Sequence, residues 1–316
     1  QILTESIFQL LITGVLVGAL YGLMCVGLAM IFGIMRVINF AQGDFMMVGM
    51  YATYFFFGAV GFHAAFGVFL GPYLAVVAAA PLMFLFGWLI HRFLIRRVTG
   101  IASSSMEAEG HYAQLILTLG IALVLQNGAM ILVGADIVSI RTPLSSAAWV
   151  FAPSEDSPML FFFNHARVVA AVLSGVVILA LWFTIQRTLI GKSLRAAADN
   201  PEAAVYMGID VDGSHRFAFA LGTAITAIAG GLLATSYPFT PFVGLEYVII
   251  MYAGVVLGGV GSVIGAFWGG MLIGLIQQFS TLILPTQLQN ATIFVCFLLI
   301  VALRPQGLFG RNVERT

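Results

Sequence analysis

RTLIGKSLRAAADNPEAAVYMGIDVDGSHR, from Arg187 to Arg216, is a long polar interruption in an otherwise apolar chain. It carries Arg187, Lys192, Arg195 and Arg216, four of the thirteen Lys and Arg residues. The apolar runs on either side are long enough to cross a bilayer, so this stretch must lie in water and present itself to something soluble.

Its punctuation predicts two short ordered helices. Gly191 reads as the break in the preceding helix, and Ser193 as the cap of a short helix through Ala198. Asn200 followed by Pro201 is a second start signal, with Glu202 placed in the first turn where the helix dipole favours a carboxylate. Gly208 is the stop, and Asp210 or Asp212 starts the helix that re-enters the membrane at Phe217. Gly191-Lys192-Ser193 is not a phosphate loop. That motif would put a glycine at position 186, which is Gln, and would need a strand in front of it.

The rest of the composition fits a lipid solvent. Of 316 residues, 61% are hydrophobic and 8% charged, against roughly 25% charged in soluble domains. The net charge is zero, which argues against a nucleic-acid partner. Cys25 and Cys296 both lie in apolar runs, as free packed thiols would. Candidate spans are 7–33, 45–62, 67–90, 112–133, 167–186, 217–237, 263–284 and 288–303. A ninth run, 246–258, is short and glycine-flanked, as in a half-helix or re-entrant segment. The expected fold is therefore an all-α polytopic bundle of eight or nine membrane segments, forming a single domain over 1–316.

Cations set the orientation. Arg36, Arg92, Arg96, Arg97, the four cations of 187–216, Arg304, Arg311 and Arg315 fall on one side. Arg141 and Arg167 fall on the other, with Asp136, Glu155 and Asp156. The positive-inside rule puts the 187–216 loop and the C-terminus in the cytoplasm and the N-terminus outside. The outer loop, 134–166, holds Pro143, Pro153 and Pro158 and shows no strong helical pattern. It reads equally as a lid, a docking surface or a connector.

Inside the apolar bulk, Asn39, Gln42 and Asp44 form a polar knot. Asn39 with Gln42 has capping-box character, and Asp44 then sits in a first turn. The knot is either a capped cytoplasmic turn or the polar start of a discontinuous helix facing a pathway. Glu246 opens the short ninth run, either in a pathway or at a wetted outer interface. Met50-Tyr51 and Met251-Tyr252 follow the two polar breaks, on helices expected to run in opposite directions; Tyr252 joins the candidate pathway set. Gly14, Gly18 and Gly22 line one face of the first helix. Gly261, Gly265 and Gly269 line one face of a later one. Small residues at this spacing allow close helix contact in lipid.

No enzyme site is legible. His63, His91, His111, His165 and His215 have no metal-ligand spacing, and no HExxH or GxSxG motif occurs.

Four segments in family order resemble the permeases of binding-protein-dependent ABC importers, of the branched-chain amino acid type. Gly191-Lys192-Ser193-Leu194-Arg195-Ala196-Ala197-Ala198, then Ala203 to Gly208 and Ile209, is similar to their coupling loop. Ile38-Asn39-Phe40-Ala41-Gln42-Gly43-Asp44 resembles the INFAHGE-type signature, with Gln42 where His is more usual. Val256-Leu257-Gly258-Gly259-Val260-Gly261-Ser262, then Gly265-Ala266 and Gly269-Gly270, also resembles the family. So does the ending Arg304-Pro305-Gln306-Gly307-Leu308-Phe309-Gly310.

The resemblance implies a permease subunit in a bacterial inner membrane that imports a small polar solute, most often a branched-chain or related amino acid. It implies a second homologous permease, two ATPase subunits that bind ATP and Mg, and an extracytoplasmic solute-binding protein. The chain itself would hold no cofactor and no metal. Arg195, Ala197, Ala198, Asn200, Glu202, Ala204 and Gly208 would couple it to the ATPase. The competing class is an ion-coupled secondary transporter or channel for a solute such as urea or an organic acid. That class needs an intramembrane carboxylate–cation relay, and none is legible.

Overall fold

The computed structural model describes residues 2–98, 107–151, 160–259, 261–285, 288–304 and 307. Glu155, Asp156, Pro153, Pro158, Val260 and most of the C-terminal motif, with Arg311 and Arg315, lie outside the described residues. The helices in order are α1 (Ile2–Met35), α2 (Gln42–Gly58), α3 (Phe62–Ile90), α4 (Arg96–Val98) and α5 (Glu107–Val133). A π-helical turn, His91–Ile95, joins α3 to α4. Then come α6 (Pro143–Ser146), strands β1 (Ala148–Phe151) and β2 (Phe161–Asn164), and α7 (His165–Arg187). The chain continues with α8 (Leu189–Asp199), α9 (Pro201–Tyr206), α10 (Val211–Ala234), α11 (Val243–Gly258), α12 (Val263–Ser280) and α13 (Gln289–Leu303).

Six of the described spans are long and apolar enough to cross a membrane: Glu5–Met35, Phe62–Val98, Tyr112–Val133, His165–Arg187, Val211–Ala234 and Val263–Ser280. α11 and α13 are apolar but shorter. A bundle of membrane-spanning helices is thus what the composition anticipated. α1 and α10 are its centre. In each, 83% of the most apolar window is buried, against 17% in α5 and α7, whose apolar faces stay open.

Glycine decides which helices reach the centre. α1 and α12 lie antiparallel and nearly in backbone contact. A Cβ on Gly18 would come within 2.7 Å of the Met271 carbonyl oxygen, and one on Gly270 within 2.6 Å of Gly22 Cα. Gly14 faces Leu275 in the same row. The second glycine row needs correcting. Gly261 is not on α12 but in the turn before it, at φ 89°, where a left-handed backbone favours glycine. α12 starts after Ser262, whose Oγ accepts from Gly265 N–H at 3.0 Å. Gly265 and Gly269 then face Gly258 and Gly254 on α11, while Gly270 and Gly274 face α1. One helix therefore carries two glycine edges and packs closely against two neighbours.

The described parts of the outer loop form local structure on either side of residues 152–159. Val138 and Phe239 exchange backbone hydrogen bonds at 2.9 Å. Thr142 and Ser145 form a capping box around α6. β1 and β2 pair antiparallel, with Trp149 opposite Phe163 and Val150 opposite Phe162. Cys25 is buried and Cys296 half-buried, and both are free.

Candidate functional site

Two places combine polar chemistry with defined geometry: the knot at 39–44 and the handle at 188–210.

At the knot the chain leaves α1, passes Arg36 at φ 55° and turns back before α2 begins. Asn39, Gln42 and Asp44 are all buried. The anticipated capping box does not form. The residue before α2 is Ala41, which offers no side-chain cap. Instead Asn39 uses its amide twice. Its Oδ1 accepts from Ala41 N–H at 3.1 Å, and its Nδ2 donates to Gln42 Oε1 at 2.9 Å. Gln42 Nε2 donates onward to Thr226 Oγ1 at 2.6 Å and to the Gly222 carbonyl at 3.3 Å, both on α10. These amides satisfy one another and pin the start of α2 to the middle of α10, as buried polar groups require. From there α2 climbs beside α10, with Gly49 against Ala227 and Gly231 against Thr53.

α11 meets this start from the opposite direction. Phe40 lies against Tyr252, ring centres 5.4 Å apart, while Asp44 lies against Gly244. The pairing runs backward along α11, so the two helices are antiparallel where their N-terminal turns overlap. A Cβ on Gly244 would come within 2.6 Å of Asp44 Oδ1. Asp44 Oδ1 is buried without a hydrogen-bond partner among the described residues, and the buried Tyr252 hydroxyl approaches the Asn39 backbone without closing a well-formed hydrogen bond. Gln126 on α5 is the side chain that approaches the Asp44 carboxylate. Glu246 stands apart. It is exposed on the far face of α11 and accepts from Asn290 Nδ2 at 3.0 Å. The structure thus gathers Asn39, Gln42, Asp44 and Tyr252 and leaves Glu246 outside the cluster.

The handle is built by caps. α7 ends at Arg187, and Thr188, not Ser193, caps α8. Thr188 Oγ1 accepts from Gly191 N–H at 3.1 Å. Gly191 therefore lies in the first turn of α8 and does not break a helix, and the Ser193 hydroxyl donates back to the Leu189 carbonyl at 3.2 Å. Asn200 caps α9 as its sequence implied, accepting from Ala203 N–H at 3.0 Å, with Pro201 and Glu202 in the first turn. Gly208 takes φ 79° after α9, and Asp210 caps α10, accepting from Gly213 N–H at 2.9 Å.

Ala197, Ala204 and Val211 are buried together as a small core of their own, with Ala196 and Ile209 packed around it. Arg195, Asn200, Glu202 and Gly208 are exposed and Ala198 half-buried. The tip is apolar and open: Tyr206 is 89% exposed and Met207 81%. Arg96 pairs with Asp212 at 3.5 Å, and Arg92 and Arg216 both lie over Trp88, at 5.0 and 5.2 Å, so the base is tied to α3 and α4. The result is a short helix pair with its own core, side-chain caps and a braced base.

The family model described as "Branched-chain amino acid transport system / permease component" matches residues 10–303. The chain belongs to this permease family. It is 29% identical over 312 residues to the high-affinity branched-chain amino acid transport system permease protein LivH of Escherichia coli K12, covering 97% of each chain. It is 28% identical to BraD, the corresponding permease protein of Pseudomonas aeruginosa PAO1, over 97% of each. The autoinducer 2 import system permease protein LsrC of Yersinia pseudotuberculosis is 29% identical over 60% of this chain and 53% of its own. No solved structure matches.

Sequence reasoning missed several residues of this permease. Thr226 and Gly222, the partners of Gln42, gave no local signal, because their role depends on contacts across 184 and 180 positions. Gly43 stood in the signature but was not read as a contact point; it faces the Gly244 backbone. Tyr206 and Met207 could have been found, as large apolar residues in the middle of a polar loop.

Proposed function

We propose that this permease is one half of the membrane channel of an ATP-driven importer, moving a branched-chain or related amino acid into the cytoplasm. The observation that carries the reading is the handle: a self-capped helix pair with a small alanine core and an exposed Val205-Tyr206-Met207 tip. An exposed tyrosine and methionine at the end of a rigid lever is the surface a soluble partner would cover. The partners are two ATPase subunits that bind ATP and Mg, a second permease of the same family and an extracytoplasmic solute-binding protein. The handle and the C-terminus face the cytoplasm and the N-terminus faces out.

The mechanism follows from linkage. ATP brings the ATPase subunits together, and each handle transmits that closure to α7 and α10. The pore exchanges inward- and outward-facing states, and ATP and the loaded binding protein each bias one of them by differential affinity. α2 and α11 act as discontinuous helices. At about 26 and 24 Å they are shorter than the roughly 30 Å hydrocarbon layer, and their N-terminal turns overlap inside the bundle. Their positive ends, with Asn39, Gln42, Asp44 and Tyr252, line the pathway at that overlap. Selection rests with the binding protein, so this lining needs to conduct the solute and not hold it tightly.

The test is uptake in cells lacking their own amino acid importers, supplied with this permease and its partners. Uptake of radiolabelled leucine, displaced by excess isoleucine or valine, supports the assignment. Uptake indifferent to all three, with a different solute bound by the cognate binding protein, overturns the substrate class.

A further inference from the structure

The β1–β2 ribbon carries an exposure that transport does not explain. β1 is exposed along its whole length, with Trp149, Val150 and Phe151 each more than half open. On β2, Phe162 is 48% exposed. A two-stranded ribbon with apolar residues open on both faces is unstable in water and invites association.

Its depth is fixed by two helices. β2 ends at Asn164 and α7 begins at His165, with no connecting residue. Phe161 packs edge-on against Phe8, ring centres 6.0 Å apart, and Phe162 is bonded to Gln9. Phe8 and Gln9 already lie inside the apolar span Glu5–Met35. The ribbon therefore runs level with the first membrane turns of α1 and α7. It continues their open apolar surface, made by Phe8, Leu11 and Val15 on α1 and Val172 on α7.

The strand edge is also closed in an unusual way. Gln9 Nε2 donates to the Phe162 carbonyl and Gln9 Oε1 accepts from Phe162 N–H, both at 2.9 Å. The side-chain amide stands in for the peptide group of a third strand. In water such an edge is hydrated freely. In lipid an unpaired peptide group is costly, so sealing it matters there.

We propose that the β1–β2 ribbon lies in the interfacial layer of the bilayer, at the membrane face where α1 and α7 begin. Trp149, Phe151 and Phe162 sit among the headgroups and upper acyl chains, and Gln9 seals the strand edge against them. The occupant is lipid. Its surface is continuous with the open apolar surface of α1 and α7, both long and apolar enough to span a bilayer, aromatic residues are the usual anchors at its edge, and residues 148–151 and 160–164 carry no charge.

The test uses the transporter assembled from this permease and its partners in nanodiscs. Trp88, Trp182 and Trp268 are replaced by Phe, leaving Trp149 as the permease's fluorophore, and the partners' tryptophans are likewise replaced. The expected result is blue-shifted Trp149 emission, quenched at least twofold more by lipids spin-labelled near the headgroup than at the chain end. Iodide should be nearly ineffective, and added solute-binding protein should change nothing. Quenching by iodide but not by lipid overturns the proposal, because the ribbon is then in water. Shielding from both also overturns it, because protein then covers the ribbon. Gln9→Leu should weaken the lipid quenching and redden the emission; an unchanged spectrum overturns the sealing role. Should the triple Trp variant fail to assemble, an environment-sensitive dye on Val150→Cys, in a Cys296→Ser background, reads the same depth.

Discussion

Gly43 and Gly244, far apart in the chain, touch backbone to backbone: a Cβ on Gly244 would lie 2.8 Å from the Gly43 carbonyl carbon. The contact joins the first turn of α2 to the first turn of α11. No side chain fits between them, so the overlap of the two helix starts depends on both positions being glycine. Gly244→Ala should therefore push α11 away from Asp44. Overpacking of this kind costs about 1–3 kcal/mol. The expected outcome is a lower thermal midpoint for the detergent-solubilised permease and a fall in uptake larger than the loss of assembled transporter. Thermal melts and uptake per assembled transporter check it.

Gln42 and Thr226 form the other tie at this point. Thr226→Val leaves Gln42 Nε2 with only the more distant Gly222 carbonyl, and the loss of one such bond costs about 0.5–1.5 kcal/mol. Gln42→Leu should cost more, because it also removes the Gly222 bond and leaves Asn39 Nδ2 without its acceptor. Because both remove the same bond, the double variant should be less destabilised than the sum, with a coupling of about 0.5–3 kcal/mol. A double-mutant cycle on denaturation of the solubilised permease measures it.

Asp44 is expected to act in conduction more than in folding, since one carboxylate oxygen, Oδ1, is buried without a partner and only Gln126 reaches the group from another helix. Asp44→Ala should lower uptake at least severalfold while the permease still assembles with its partners. Uptake at the original rate in a fully assembled variant would reduce Asp44 to a helix-start residue.

At the handle, core and tip should separate. Ala204→Leu overfills the small core with Ala197 and Val211 and should loosen the whole segment. Tyr206→Ala leaves the fold intact but strips the open tip, with an expected loss of about 2 kcal/mol in ATPase binding, near thirtyfold in Kd. Hydrogen exchange over 189–208 and binding of the purified ATPase distinguish the two. The cap assignment is checked in the same experiment. Thr188→Ala should cost about 1 kcal/mol of helix stability, while Ser193→Ala should stay within about 0.5 kcal/mol.

What the sequence disclosed follows the range of the forces involved. The long apolar runs, the Asn200-Pro201 start and the Gly208 stop are written in neighbouring residues and were legible, and of the two starts offered, Asp210 and Asp212, the structure uses Asp210. Thr188 was not, because the choice between two hydroxyl caps depends on where α7 unbends. The β1–β2 ribbon was hidden because Trp149 and Phe163 must find each other across a proline-containing loop. Gly261 was misread for a related reason: spacing places it in the glycine row, but the turn at Ser262 takes it out. At the candidate site the residue types were legible, while the Gln42–Thr226 and Gly43–Gly244 contacts needed three dimensions.

The most direct test is transport by purified components in proteoliposomes with all ion gradients collapsed by ionophores. Solute should accumulate only when the ATPase subunits and ATP are present, and Tyr206→Ala should weaken accumulation while leaving permease content unchanged. Accumulation against a gradient by the permease without any ATPase would contradict the account at its centre.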